Sequence, residues 1–333
     1  MFHYWYKFIF YYDILYIRKI LEYNIKRKHC SFPSVFQIQT INLCNSSCIM
    51  CPISDKQKKK IEIISDTLFK KIITEIISES RSGTIILPYL QNEPLMDKNI
   101  FKKIKLIKDL GKGKITTGIL TNGSLFNNEM IKDLEKFGND FITISLDALT
   151  EKTYKKIRRG TDYNKVIDNI NKLLQSDYDK KNIGVEFLVQ KQNYYEKDIF
   201  KKFWKEKVGG ILINYPSNRT GDVLNFDKIK LKKKDLSLID RFKFRLLKGI
   251  IIYCPFPFST FNILSNGDVI LCCEDWGRKM ILGNIKQSSI KEIWDNQIFK
   301  TTRELIYKKM YEKIPPCRNC SLWKNAHLNF FNS

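Results

Sequence analysis

Histidine is scarce in this chain. Three occur in 333 residues, and none lies between Cys30 and Cys51, so the densest group of cysteines has no imidazole beside it to complete a tetrahedral zinc site. Acidic residues are also short, 35 against 58 basic ones, for a net charge of +23. An excess of that size invites a nucleic-acid partner. Here it is mostly lysine spread along the whole chain, with only short runs at 58–60 and 232–234, and it reads as a solvated face rather than a specific nucleic-acid surface. No apolar run of the roughly 20 uncharged residues that a membrane-spanning helix needs is present. The most aromatic segment, residues 1–23, is interrupted by Lys7, Asp13, Arg18 and Lys19. That segment also lacks the n-region and cleavage site of a secretory signal. A reducing, cytoplasmic setting is therefore expected, in which clustered thiols bind metal more often than they pair.

Cysteine is plentiful, nine in all, and grouped. Cys44, Cys48 and Cys51 read C-x3-C-x2-C just after a strand-like run. Three thiolates this close suit one iron–sulfur cube, whose four irons would leave one without a protein ligand and open to a small molecule. A disulfide would leave an odd thiol, and zinc would need a fourth donor. Toward the other end, Cys254 and Cys272 form C-x12-G-x4-C around Gly267, and Cys317 and Cys320 form C-x2-C. Four thiolates from separate loops suit a fully ligated cluster or a four-cysteine zinc. Cys273, next to Cys272, is read as a buried thiol facing the other way, with a swap between the two left open. Cys30 is read as a spare.

From residue 34 onward, strand and helix patterns alternate. Strands are predicted over 35–43, 84–89, 115–121, 141–146, 183–189 and 211–215, and helices over 66–78, 100–110, 128–137, 163–174 and 196–205. Repeated β-then-α units give a parallel sheet with helices outside it. The fold class expected is α/β, a partial (β/α)6 barrel at 34–215, with its site at the carboxyl ends of the strands. A polar linker is expected at 216–250 and a small cysteine-rich α+β domain at 251–333. Residues 1–33 are expected to hold an amphipathic helix on Trp5, Phe8, Ile9, Tyr12, Leu15, Tyr16 and Ile20, docked on its own barrel or lying on a membrane surface.

The trio and its strand-to-loop setting closely resemble the radical S-adenosylmethionine (SAM) superfamily. In that family the open iron of a [4Fe-4S] cluster chelates SAM, which one electron cleaves to a 5′-deoxyadenosyl radical. Gln91-Asn92-Glu93-Pro94-Leu95 resembles the family's Gly-Gly-Glu-Pro-Leu turn for the SAM amino group, with both glycines replaced. A turn with Asn in a left-handed conformation is the plainer account. Ser145 and Asp147 fall where the family contacts the ribose or amino-acid end of SAM. Arg158 lies in a segment, Tyr154 to Gly160, resembling one whose arginine pairs with the SAM carboxylate. Asp147 could instead cap the helix after it. Gln190 and Asn193 are candidates for the same rim. Met50 stands where many members carry an aromatic residue over the adenine. The C-terminal cysteines resemble a SPASM domain in a shortened, twitch-like form, implying a second, auxiliary [4Fe-4S] cluster.

The resemblance implies an enzyme that abstracts hydrogen from its substrate, with the auxiliary cluster accepting the remaining electron. A two-electron oxidation of a sugar or aminocyclitol is expected. A peptide-modifying maturase is the alternative, and a zinc-stabilised nucleic-acid-binding protein the non-enzymatic one. Expected partners are a small-molecule or peptide substrate and an electron donor such as flavodoxin or ferredoxin, with peripheral membrane contact through residues 1–23 as a further option.

Overall fold

The computed structural model describes residues 31–55, 60–80, 83–238, 240–241 and 254–324. The expected N-terminal helix, Cys30 and residues 239 and 242–250 of the expected linker lie outside them.

Six parallel strands form the frame: β1 (Val35–Ile38), β2 (Thr84–Leu87), β3 (Ile115–Thr121), β4 (Phe141–Ser145), β5 (Ile183–Leu188) and β6 (Gly210–Asn214). Helices α1 (Asp66–Glu79), α2 (Ile100–Gly111), α3 (Asn128–Phe137), α4 (Glu151–Ile157), α5 (Tyr163–Gln175) and α6 (Lys197–Trp204) alternate with them. Their starts are written locally. Ser65, Asn127, Thr150 and Asp162 each accept a hydrogen bond from a first-turn N–H of α1, α3, α4 and α5, satisfying donors that a helix start otherwise leaves open. Thr150, not Asp147, is therefore the cap of the helix after β4.

β1 and β6 are not neighbours, so the barrel stays open. β1 instead pairs in parallel with β7 (Thr260–Ile263), from Val35↔Thr260 to Ile38↔Ile263. β8 (Asp268–Ile270) and β9 (Ile281–Asn284) follow antiparallel. The order is β6-β5-β4-β3-β2-β1-β7-β8-β9. The cysteine-rich unit is thus not a separate body on a linker: its strands extend the barrel's own sheet. Helices α7 (Ile290–Trp294) and α8 (Gln297–Tyr307) close over it, and Phe36, Ile72, Phe261, Trp294 and Phe299 share one core. A second core lies beneath α2, α5 and α6 around Ile104, Ile142, Ile170, Phe187 and Phe200. Each such side chain contributes about 1.5–3 kcal/mol on full burial.

Two expectations change. β1 ends at Ile38 rather than residue 43: the Gln39 N–H donates the last ladder bond to β7, to the Ile263 carbonyl at 2.8 Å. The chain then turns to residues 62–64, where Ile41 bridges to Ile63 and the Ile64 N–H donates to the Thr40 carbonyl at 2.9 Å. The stretch after β6, read as polar linker, buries Ser217, Thr220, Leu231 and Leu236. It is docked by the Asn218 side chain, which accepts from Ser321 N–H at 2.9 Å and donates to the Asn319 carbonyl at 2.7 Å.

Candidate cluster and cofactor site

The loop carrying Cys44, Cys48 and Cys51 is strapped to the end of α4. Ser47 N–H donates to the Arg159 carbonyl at 2.8 Å and Ile49 N–H to the Ile157 carbonyl at 3.1 Å. Gly160, at φ +85°, lies so close that a Cβ there would meet the Asn45 carbonyl oxygen at 3.1 Å. Asn122, after β3, donates to Asn45 Oδ1 at 2.8 Å and to Ser46 Oγ at 3.0 Å. Cys48 is buried, Cys44 and Cys51 half-buried. Burial pushes the Cys44 thiol up to about 12, with Glu93, Cys48 and Cys51 adding to the rise. Cys48 goes up to about 11 by burial, against the pull of Arg158. Three thiols that oppose one another's ionisation in a buried loop form a donor set that takes its charged form readily only around a multivalent cation. That fits an iron–sulfur cluster. Among the described residues no three donors converge as they would around a single ion.

Glu93 is buried, and its carboxylate accepts from Thr121 Oγ1, Asn122 N–H at 2.8 Å and Leu95 N–H at 3.1 Å. Burial raises its pKa while these donors lower it. Its own N–H donates to the Leu43 carbonyl at 2.8 Å, so one acid ties the turn after β2, the end of β3 and the approach to Cys44. In that turn the left-handed residue is Gln91, φ +54°, and not Asn92. Asn92 accepts from Leu90 N–H at 2.8 Å, while the Gln91 side chain donates to the Cys273 carbonyl at 3.1 Å.

At the exit of β4, Asp147 is fully buried at φ +58°. Its Oδ2 accepts from Arg158 Nε at 2.8 Å and Nη2 at 2.6 Å, and its Oδ1 from Leu188 N–H at 2.7 Å. Burial pushes this carboxyl up to about 6, with Arg158 opposing and Glu186 adding. Burial works against the Arg158 charge, but Asp147, Cys48 and Glu186 outweigh it and raise its pKa. Two residues predicted separately are therefore one ion pair beside Cys48. Ser145 instead donates to Glu186 Oε2 at 2.7 Å, and Asn214 donates to Oε1 at 2.8 Å. Asn193 donates to the Asp147 and Leu188 carbonyls at 2.8 and 2.9 Å. Gln190 is fully buried, and among the described residues its side-chain amide has no hydrogen-bond partner.

Of the second set, Cys272, Cys317 and Cys320 are buried and Cys254 half-buried. Burial raises the Cys254 and Cys272 thiols, and each is raised further by Cys317, Cys320 and Cys273. Burial, with Cys320 and Asp275 adding, pushes the Cys317 thiol up to about 12. The four predicted thiols are thus within mutual electrostatic reach, with Cys273 beside them rather than remote. Sequence reasoning missed Arg219 and Glu274. Glu274 accepts from Arg219 and Ser217, and Arg219, raised by Glu274, Cys273, Cys51 and Glu186 against its burial, stands between the two cysteine sets. Glu274 sits in the Cys-Cys-Glu-Asp-Trp run, the one signal that could have pointed to it.

An open parallel half-barrel with three thiols after its first strand, and four more on an extension of the same sheet, defines an iron–sulfur enzyme with a reducing and an auxiliary centre. Residues 38–201 match the radical SAM superfamily, and 254–321 match SPASM, an iron–sulfur cluster-binding domain. The chain belongs to the radical SAM superfamily. It is an enzyme of the oxidoreductase kind that uses a [4Fe-4S] cluster, SAM and an auxiliary iron–sulfur centre. It is similar to the S-adenosyl-L-methionine-dependent 2-deoxy-scyllo-inosamine dehydrogenase of Niallia circulans, 22% identical over 298 residues that cover 86% of this chain and 92% of that one. Its fold resembles that of BtrN in complex with AdoMet and 2-DOIA, with a TM-score of 0.60 and 19% identity, covering 87% and 93% of the two chains. It also resembles SuiB of Streptococcus suis bound to precursor peptide SuiA, with a TM-score of 0.67 and 17% identity, covering 92% of this chain and 73% of that one. No helix among the described residues is long and apolar enough to cross a membrane.

Proposed function

We propose that this enzyme oxidises a hydroxyl-bearing carbon of a small sugar or aminocyclitol to a carbonyl. Cys44, Cys48 and Cys51 would hold the reducing cluster, and Cys254, Cys272, Cys317 and Cys320 the auxiliary one. When bound, the cofactors supply a carbon radical that removes one hydrogen atom from substrate and a nearby centre that accepts the electron left behind, while the hydroxyl proton leaves to solvent. The chain's own work is orientation. The turn Gln91–Asn92–Glu93 would receive the amino end of SAM, held by the bonds to Glu93. Ser145 and Asp147 would line the ribose side. Arg158, fixed by Asp147, would offer its remaining N–H groups to the SAM carboxylate. A flavodoxin or ferredoxin would supply the electron.

The observation that carries this reading is the bracing of the auxiliary cysteine loop against the barrel: Gln91, from the turn after β2, on Cys273, and Arg219 with Ser217, from the segment after β6, on Glu274. An acceptor held this way serves a net oxidation, whereas an isomerisation returns its electron. The near end-to-end match with the inosamine dehydrogenase adds support. A peptide substrate is the second reading, favoured by the higher TM-score with peptide-bound SuiB.

Anaerobic reconstitution should give about eight irons, two cubes of four, and SAM cleavage under dithionite. With 2-deoxy-scyllo-inosamine deuterated at its carbinol carbons, deuterium is expected in 5′-deoxyadenosine. Transfer from labelled peptides alone would favour the second reading. A fully loaded protein that leaves SAM intact would sink both.

A further inference from the structure

Gln91 stands where the resembled family turn has glycine, and its backbone still has a glycine's conformation, φ +54°. A side chain enters that region at a cost, so the glutamine needs a compensating contact. It has one. Nε2 donates at 3.1 Å to the carbonyl of Cys273, 182 positions away in sequence. The backbone around it is fastened as well. Gln39 Nε2 donates to the Leu90 carbonyl at 3.0 Å, while Gln39 Oε1 accepts from Ser265 Oγ at 3.2 Å. Leu90 packs with Leu264, Ile270 and Cys273. On its other side the turn reaches the first cysteine loop through the Glu93 N–H and the Leu43 carbonyl. One short turn thus touches the approach to Cys44 and the peptide group that follows Cys273.

We propose that Gln91 is a positioning residue that ties this turn to the auxiliary cysteine loop, so that SAM seated on the turn is felt at the auxiliary cluster. The proposal rests on the reading of the turn as the receptor for the SAM amino group. A hydrogen bond from an amide fixes the direction of the carbonyl it meets, and hydrogen bonds and dipoles around an iron–sulfur centre set its electronic properties. The loop has other supports. Glu274 is held by Arg219 and Ser217, and the unit as a whole by the β1–β7 pairing. Removing the Gln91 amide should therefore loosen one contact without undocking the domain.

Two variants test this. Gln91→Gly removes the side chain and relieves the backbone, so it should fold at least as well as the parent. Gln91→Glu keeps the length and removes the donor. In iron-free protein, amide hydrogen exchange over 271–276 should be faster in both variants and unchanged over 260–263. In reconstituted protein, the electron paramagnetic resonance signal of the reduced auxiliary cluster should shift on adding SAM in the parent and stay still in both variants. Equal exchange in parent and variants overturns the proposal, as does a parent signal indifferent to SAM or a shift that survives in Gln91→Gly. A parent that takes up no iron, or takes it up and does not cleave SAM, would refute the functional reading instead, and the exchange comparison would still decide the tie.

Discussion

Arg158→Met keeps most of the bulk of the side chain and removes the charge that faces Asp147. Asp147 is wholly buried, and among the described residues its carboxylate is met by Arg158 and the Leu188 N–H. Removing one partner of a buried pair leaves the other uncompensated and costs about 3–5 kcal/mol. The pH dependence sharpens the test. In the parent, burial holds the Asp147 carboxyl at about 6 against an ordinary 3.8. A carboxyl raised on folding binds its proton more tightly in the folded state. Its contribution is therefore fully present below pH 3.8, falls as pH rises through the window up to 6, and is flat above it. Without Arg158 the folded value rises further, so the variant keeps losing stability above pH 6, by about 1.4 kcal/mol per pH unit. The gap between parent and variant should be smallest at pH 5 and wider at pH 8 by up to about 3 kcal/mol. Urea unfolding of iron-free protein at the two pH values measures it, and Asp147→Asn in the Arg158→Met background should remove the dependence. A destabilisation under about 1 kcal/mol at pH 8, or equal at both, refutes the account of the pair.

Glu93→Gln turns one acceptor oxygen into a donor that faces either the Asn122 N–H, on one side of the carboxylate, or Thr121 Oγ1 and the Leu95 N–H, on the other. A loss of about 1–3 kcal/mol is expected, visible as a lowered urea midpoint, together with weaker SAM binding by equilibrium dialysis. Gly160→Ala would push a Cβ against Asn45 and Ser46 at 3.1–3.3 Å from a backbone at φ +85°. The first cysteine loop should move, and the reconstituted protein should lose close to half its iron. Normal iron content in that variant would show that the loop tolerates the intrusion. Cys51→Ala should abolish SAM cleavage and keep the auxiliary iron, whereas Cys317→Ala should retain some SAM cleavage and lose substrate oxidation. Iron analysis and product assay separate the two.

How much of this was legible in the sequence depends on how local the cause is. β3 and α3 begin and end where expected because their boundaries carry their own signals, the Thr121-Asn122-Gly123 turn and the Asn127 cap. β1 is shorter than its pattern because residues 39–43 look strand-like, while what they pair with is the loop at 62–64, through the Ile64 N–H to the Thr40 carbonyl and the Asn42 N–H to the Glu62 carbonyl. The period-2 alternation of a strand would put Ser145 and Asp147 on one face. The positive φ of Asp147 breaks the strand there, so Ser145 turns to Glu186 and Asp147 to Arg158. Glu186, Arg219 and Glu274 went unnoticed because each finds its partners 28–57 positions away in sequence, and no spacing rule reaches that far. The cysteines were legible because ligand spacing within a loop is written in consecutive residues.

The charge of the chain and the charge of the site have opposite signs, and this bears on the substrate. The protein carries +23 overall. Around the cysteine sets, the charged side chains placed above are two arginines, Arg158 and Arg219, against four carboxylates, Glu93, Asp147, Glu186 and Glu274. Each arginine is already matched by a carboxylate, and among the described residues Glu93 and Glu186 are hydrogen-bonded by neutral donors. Thiolates holding iron add further negative charge. Such a rim suits a cation, as SAM itself is, and offers a phosphate little beyond what the arginines already give to Asp147 and Glu274. This local field is in keeping with the aminocyclitol proposed above, whose amine would carry positive charge among its hydroxyls. The dispersed lysines act at longer range, where salt screens them beyond about 10 Å at 0.1 M. Partner choice is therefore better argued from the few buried charges at the rim than from the many on the surface.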